Sequence, residues 1–260
     1  MKKPMKKLGK KIMRSAFMAL SRLESRFDSA FLLEDVPMTP PIPLPSVPTY
    51  LNPAPGQKLR ILEIGSREVT GESTARKQFA AHDYVGFDYY PGRNVDIVGD
   101  VHRLSSYFPA GEQFDIIYSI ACFEHFAMPW LVATEIARML KRNGILFVAT
   151  HFSYAAHERP WNFFQFSDMG LRVLFSESLG FEMIESGMSN PIVGRFSALA
   201  SPELRCQPIR GLYCGSEYLG RKVRDVDDFD WTRIDVADLV AGTKYPEPTG
   251  VVSKPGNHSG

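Results

Sequence analysis

The sequence predicts an α/β fold, a mostly parallel sheet with helices on both faces. Three observations carry this. From Leu59 onward, short runs rich in Ile, Val and Phe alternate with stretches whose apolar residues recur at helical spacing, the pattern of strands joined by crossover helices. The runs Leu59-Arg-Ile-Leu-Glu-Ile-Gly65 and Tyr84-Val-Gly-Phe-Asp88 end in a glycine and in a carboxylate, with room between them for a turn and one helix. The chain has 260 residues and is 44% apolar. That suits one α/β domain of roughly 150–200 residues with appendages.

The elements follow in order. Residues 2–14 carry Lys2, Lys3, Lys6, Lys7, Lys10, Lys11 and Arg14 and no acid, and residues 5–29 place Leu8, Ile12, Ala16, Ala19, Leu20, Leu23 and Phe27 at steps of three and four. This predicts a basic amphipathic helix within 1–30, suited to lie on an anionic membrane surface or to dock on its own domain. The apolar stretch Ala16–Leu20 is too short for a signal peptide, and no segment reaches the roughly 18 apolar residues of a membrane span. Cys122, Cys206 and Cys214 form neither a disulfide framework nor a zinc spacing, so a reducing cytoplasm is expected. Eight prolines between Pro37 and Pro55 exclude a helix or a central strand and predict a stiff linker or a wrapping arm over 31–57.

The folded domain is expected over 58–224. It reads as a strand at 59–64, a weak helix at 71–81, a strand at 84–88 and a turn at Pro91-Gly92. A short strand at 96–100 ends in Asp100. A strand at 114–119 precedes a helix at 130–141, stopped by Asn143-Gly144, and a strand at 145–150. A helix at 168–179 ends at Gly180, and strands follow at 181–185 and 217–223. Residues 225–260 read as a C-terminal extension, disordered over 250–260.

The glycine pattern narrows the cofactor. A dinucleotide site wants G-x-G-x-x-G, because a pyrophosphate rests on bare backbone at a helix N-terminus. Here Ser66, Arg67, Glu68, Val69 and Thr70 separate Gly65 from Gly71, and Glu63 and Glu68 would repel a pyrophosphate. A cofactor with a ribose, an adenine and a cationic end fits better, and S-adenosylmethionine (SAM) is such a molecule; Glu63 is then favourable beside its sulfonium or ammonium group. A net charge of +1 offers nothing to nucleic acid.

Six motifs stand in order: Ile61-Leu-Glu-Ile-Gly65, Val85-Gly-Phe-Asp88, Gly99-Asp100-Val101, Phe114-Asp115, Phe123-Glu124-His125 and Arg138-Met-Leu-Lys-Arg-Asn-Gly144. On these, residues 59–186 resemble the core of class I SAM-dependent methyltransferases, in particular the type 11 methyltransferase family and its sugar- and polysaccharide-associated members. The resemblance implies a Rossmann-like sheet of seven strands. It implies that Glu63 and Gly65 face the methionine end of SAM, with Ser66 and Arg67 in the same cofactor loop. Asp88 would hold the ribose hydroxyls, with Tyr89 beside it. Asp100 would take the adenine amino group next to the backbone of Val101, and Ser119 would lie under the cofactor. Glu124 and His125 would stand beside the transferred methyl, His125 accepting a proton from a substrate hydroxyl.

His151, His157 and the run Arg159–Ser167 resemble the His-Pro-aromatic segment of sugar-associated relatives. This implies that Trp161 stacks on a sugar ring while Asn162 bonds its hydroxyls. The chain departs from the family where Arg67 replaces a second glycine, Asn143 a proline, and Asn162, Gln165 and Ser167 the usual Asp, Arg and Thr. No two of the six histidines have ligand spacing on one helix, so no metal is expected. The resulting expectation is methyl transfer to a hydroxyl of a sugar or polysaccharide precursor. The alternatives are N- or O-methylation of a small metabolite or lipid head group, and a non-catalytic SAM-binding assembly partner.

Overall fold

The structure, a computed structural model, describes residues 25–69 and 71–235, together with Ser15, Ala16, Met18, Ala19, Arg22 and Leu239. The amphipathic helix expected over 5–29 lies mostly outside these residues, as does the tail at 250–260. Among the described residues no helix is long and apolar enough to cross a membrane.

Seven strands form the central sheet: β1 (Arg60–Ile64), β2 (Asp83–Asp88), β3 (Ile97–Val98), β4 (Phe114–Ile120), β5 (Leu140–His151), β6 (Phe181–Pro191) and, after a two-stranded ribbon of β7 (Gly194–Arg195) and β8 (Pro208–Ile209), β9 (Tyr213–Lys222). The spatial order is β3-β2-β1-β4-β5-β9-β6. β1 to β5 run parallel, and β9 lies antiparallel between β5 and β6. This is the seven-stranded, mostly parallel Rossmann-like sheet expected.

β-branched and aromatic residues make β4 the centre of the sheet. Ile116 and Tyr118 pack on one face and Ile117 on the other, as an interior parallel strand requires. The Ile117 face, with Leu62, Ile64, Leu146 and Val148, is covered by residues of α2 (Pro129–Met139) and α3 (Asp168–Leu174), among them Val132, Ile136 and Leu171. The opposite face carries Ile61, Ile145 and Phe147 under Phe79, next to the four-residue α1 (Ala75–Gln78), and under Val47.

Val47 belongs to the Pro-rich stretch. Thr39 N–H donates to Met188 O at 2.9 Å, Met188 N–H to Pro37 O at 2.8 Å, and Ile42 N–H to the Glu217 carboxylate at 2.8 Å. Residues 44–51 then form a 3-10 helix that buries Val47 and Pro48. This stretch is an arm packed on the sheet rather than a free linker, so the folded unit extends well before Leu59. Prolines fit because the segment needs few backbone donors.

Other boundaries shift for identifiable reasons. α1 is far shorter than 71–81, and β3 is only two residues long. The turn falls at Arg93-Asn94, after Pro91-Gly92. α2 opens with Pro129 at its first position and stops at Met139, and Leu140 already pairs with Phe114 of β4. Asn143-Gly144 therefore ends no helix: Ile116 pairs with Ile145, so the residues between 140 and 145 bulge out of β5. α3, capped by Ser167 Oγ on Gly170 N–H at 3.1 Å, ends at Leu174, and a separate 3-10 turn covers Glu177–Leu179. β6 and β9 run longer than their sequence signals because each pairs with the other along its length.

Candidate active site

The strand order reverses between β1 and β4, so the crevice of the fold opens at their C-terminal ends. Gly65 follows β1 with φ +86°, and a Cβ on it would lie 2.6 Å from Cys122 Sγ. Both the left-handed backbone and the close approach select glycine. Gly65 and Ser66 N–H both donate to Phe87 O, at 2.9 and 3.2 Å, Arg67 N–H donates to Asp88 Oδ2 at 3.1 Å, and Glu68 N–H to Arg93 O at 3.3 Å. The loop's donors are thus engaged within the protein. A pyrophosphate would need them free. The site fits a ribose-bearing cofactor without phosphate, as the glycine spacing implied.

Asp88 closes β2 and ties this loop down. Besides accepting from Arg67, it accepts from Tyr90 N–H at 3.0 Å through Oδ1, and Arg67 Nε lies 3.5 Å from the same oxygen. Each carboxylate oxygen has two lone pairs, so acceptor capacity remains for ligand hydroxyls. The Arg67 guanidinium lies over the Tyr90 ring, 5.4 Å from its centroid. Tyr89 is 57% exposed at the rim.

Glu63, expected at the methionine end, lies beneath the loop. It accepts from the Tyr84 hydroxyl and, at 3.3 Å, from Asn94 Nδ2, which also donates to Ser66 O at 3.0 Å. Burial lifts its carboxyl above the ordinary range, against the pull of these hydrogen bonds. Gly86 leaves room here: a Cβ would meet Ser66 Oγ at 2.7 Å and collide with Asn94 O.

Asp100 caps the 3-10 turn Val101–Tyr107. Its Oδ1 accepts from His102 N–H at 3.0 Å and pairs with His102 Nδ1 at 2.6 Å. Burial alone would raise this carboxyl, but His102 outweighs it and holds it below the usual carboxylate range. Val101 is buried next to it. Ser119 Oγ donates to Ile64 O at 3.0 Å and stitches β4 to β1 under the crevice.

A second group forms at the ends of β4 and β5. Glu124 is fully buried in a 3-10 turn, Phe123–His125. Its Oε2 accepts from Thr150 Oγ1 at 2.7 Å. Its Oε1 stands 2.6 Å from His151 Nδ1, 3.9 Å from His125 Nε2 and 3.9 Å from His157 Nε2. Burial would raise Glu124, but His151 and Thr150 hold its carboxyl below the ordinary range. The loop is pinned by Phe163 and Phe164 N–H, which donate to Glu124 O at 2.8 and 3.2 Å. His125 Nδ1 bonds Trp161 O at 2.9 Å. A carbonyl only accepts, so Nδ1 carries the hydrogen and Nε2 is the basic nitrogen.

Folding therefore gathers Glu124, His125, His151 and His157 into one cluster although no two share a helix. Tyr154 stacks on His151 at 4.3 Å, and Trp161 lies 6.3 Å from Tyr89, joining the cofactor loop to the aromatic segment. Asn162 Nδ2 is buried without a hydrogen-bond partner. Sequence reasoning missed Thr150, Glu158 (3.7 Å from His125 Nε2), Asn94 and Cys122. Of these only Thr150, adjoining His151 at a strand end, carried a signal. Burial pushes the Cys122 thiol up, with the charges of Glu124 and Asp88 adding, so it stays protonated between the two groups.

A family model described as a methyltransferase domain matches residues 42–185, taking in part of the Pro-rich arm. No curated protein matches the chain. Among solved structures, the YcgJ protein of Bacillus subtilis is 18% identical, with a TM-score of 0.45 over 69% of this chain and 98% of its own. The 1,6-didemethyltoxoflavin-N1-methyltransferase of Burkholderia thailandensis, solved with 1,6-didemethyltoxoflavin and S-adenosylhomocysteine, is 14% identical, with a TM-score of 0.47 over 70% of this chain and 78% of its own. The family match spans more than half of the chain, and the protein belongs to the methyltransferase domain family.

Proposed function

We propose that the protein is a SAM-dependent methyltransferase that moves a methyl group to a hydroxyl of a sugar or polysaccharide precursor. The observation that carries the acceptor class is the rim around the histidine–carboxylate cluster: Trp161, Tyr89 and Tyr154 are all more than half exposed, with Asn162 and Gln165 among them. Exposed rings beside amides suit the faces and hydroxyls of a sugar. SAM supplies the methyl group and its leaving group. The chain supplies the rest. Asp88 grips the ribose hydroxyls and Asp100 the adenine end. Trp161 and its neighbours orient the acceptor, and His125 Nε2 takes the hydroxyl proton as the oxygen attacks. The buried Glu124 carboxylate stabilises the imidazolium that results. The basic, apolar-striped N-terminus supports a cytoplasmic enzyme held peripherally at an anionic membrane surface.

The test incubates the protein with methyl-labelled SAM and cell extracts separated into glycan, small-metabolite and lipid fractions. S-adenosylhomocysteine release with label on a glycan hydroxyl is the expected result. Label on an amine or a lipid head group overturns the acceptor class, and SAM binding without transfer to any fraction favours an assembly role. With an acceptor in hand, His125→Ala should lower kcat by roughly 10²–10⁴ while leaving SAM affinity unchanged.

A further inference from the structure

We propose that Glu124, His151 and His157 form a binding site for one divalent d-block cation, zinc foremost. Their ligand atoms all lie within 4.8 Å of one another. A tetrahedral zinc site with bonds of about 2.0–2.1 Å places neighbouring ligand atoms ~3.3 Å apart. The separations from Glu124 Oε1, 2.6 Å to His151 Nδ1 and 3.9 Å to His157 Nε2, bracket that value.

Two further observations point to a cation. Glu124 Oε1 and His151 Nδ1 are both buried, and beyond the 2.6 Å contact they make with each other neither has a hydrogen-bond partner. A fully buried carboxylate oxygen left so is costly, and a cation between the two atoms removes the cost. His157 gives the second. Its Nδ1 lies 2.9 Å from Ala155 O, which can only accept, so Nδ1 carries a hydrogen and Nε2, 3.9 Å from Glu124 Oε1, is the nitrogen placed to meet a ligand. A ring N–H held by a backbone carbonyl is also the usual support behind a ligating histidine.

Two imidazoles and one carboxylate form the donor set of open zinc sites, with a position left for a further ligand; imidazole disfavours magnesium and calcium. His151 and His157 are partly exposed, and Tyr154 of the aromatic rim packs against both rings. A cation here would hold an acceptor hydroxyl and make it more acidic beside His125, a role that rests on the proposed function, whereas the cation site itself does not.

The test uses the full chain, stripped with a chelator and titrated with Zn²⁺ by calorimetry and with Co²⁺ by visible absorption. One cation per chain is expected, with affinity lowered at least tenfold in both His157→Ala and Glu124→Gln. Absence of saturable binding, or wild-type affinity in the variants, overturns the site and assigns any bound ion to other groups. Should Glu124→Gln fail to fold, His157→Ala decides alone, because that side chain is partly exposed and outside the apolar core. SAM binding is measured on the same samples. Metal failure with intact SAM binding removes only the cation site, and the reverse removes only the methyltransferase reading.

Discussion

In the proposed site Asp88 would serve two ends, because the carboxylate assigned to the ribose also accepts from Arg67 and Tyr90 and so shapes the loop after β1. A hydrogen bond to a charged group contributes about 1.5–3 kcal/mol. Asp88→Asn keeps one acceptor oxygen and should weaken SAM binding at least tenfold in calorimetry, with some loss of melting temperature because one of the two backbone donors loses its acceptor. Unaltered affinity would remove Asp88 from the cofactor site. Glu63 allows a pH prediction. Burial raises its folded-state carboxyl above the ordinary value of 4.5, so ionising it in the fold costs stability. That cost is present at neutral pH and disappears as pH falls through the raised value toward 4.5, where the folded carboxyl is protonated. Glu63→Gln keeps an acceptor for Tyr84 and removes the charge. It should therefore gain stability over the native chain at neutral pH, and the gain should shrink on acidification; a gain independent of pH would show that burial of charge is not the cause.

Elements are held by polar groups that link segments distant in sequence. Lys222, buried near the end of β9, donates to Ala137 O at 2.6 Å and Leu140 O at 2.8 Å, and pairs with Asp225 at 2.6 Å. It satisfies carbonyls where α2 gives way to β5, and its charge suits a helix C-terminus. Lys222→Met preserves most of the volume but orphans those carbonyls. It should cost about 1–3 kcal/mol, read as a lower urea midpoint at constant slope. An unchanged midpoint would mean that water or relaxation replaces the lysine. On the far side, the arm at Pro37–Thr39 bonds Met188 of β6, covering an edge strand that would otherwise offer its backbone to other chains.

The whole molecule combines a neutral catalytic domain with a strongly basic beginning. Net charge is +1, yet seven of the basic residues fall before position 15. Each basic residue near an anionic surface contributes about 1 kcal/mol, weakened by salt. The full chain should sediment with anionic liposomes at low salt and less at high salt, while a chain starting at Ser25, which keeps the arm and Val47, should remain in the supernatant. Equal sedimentation of the two would assign the N-terminus to packing or oligomer contacts and leave the methyltransferase assignment untouched.

The sequence alone determined the sheet and the glycine turn and terminal acid at the ends of β1 and β2, because these rest on local signals. Apolar runs such as 59–64 and 114–119 specify buried strands without regard to their neighbours, and a left-handed turn at Gly65 or an acid ending β2 is a property of a few adjacent residues. Tertiary structure decided the rest. Whether the prolines of 37–55 form a linker or an arm depends on the apolar face that β1, β4, β5 and β9 assemble, and the bulge at Asn143-Gly144 exists only because β4 fixes the register on both sides of it. The gathering of Glu124, His151 and His157 is likewise invisible in one dimension. Their spacing in the chain reflects loop length, whereas their few-ångström separation follows from β4 and β5 running side by side and ending together.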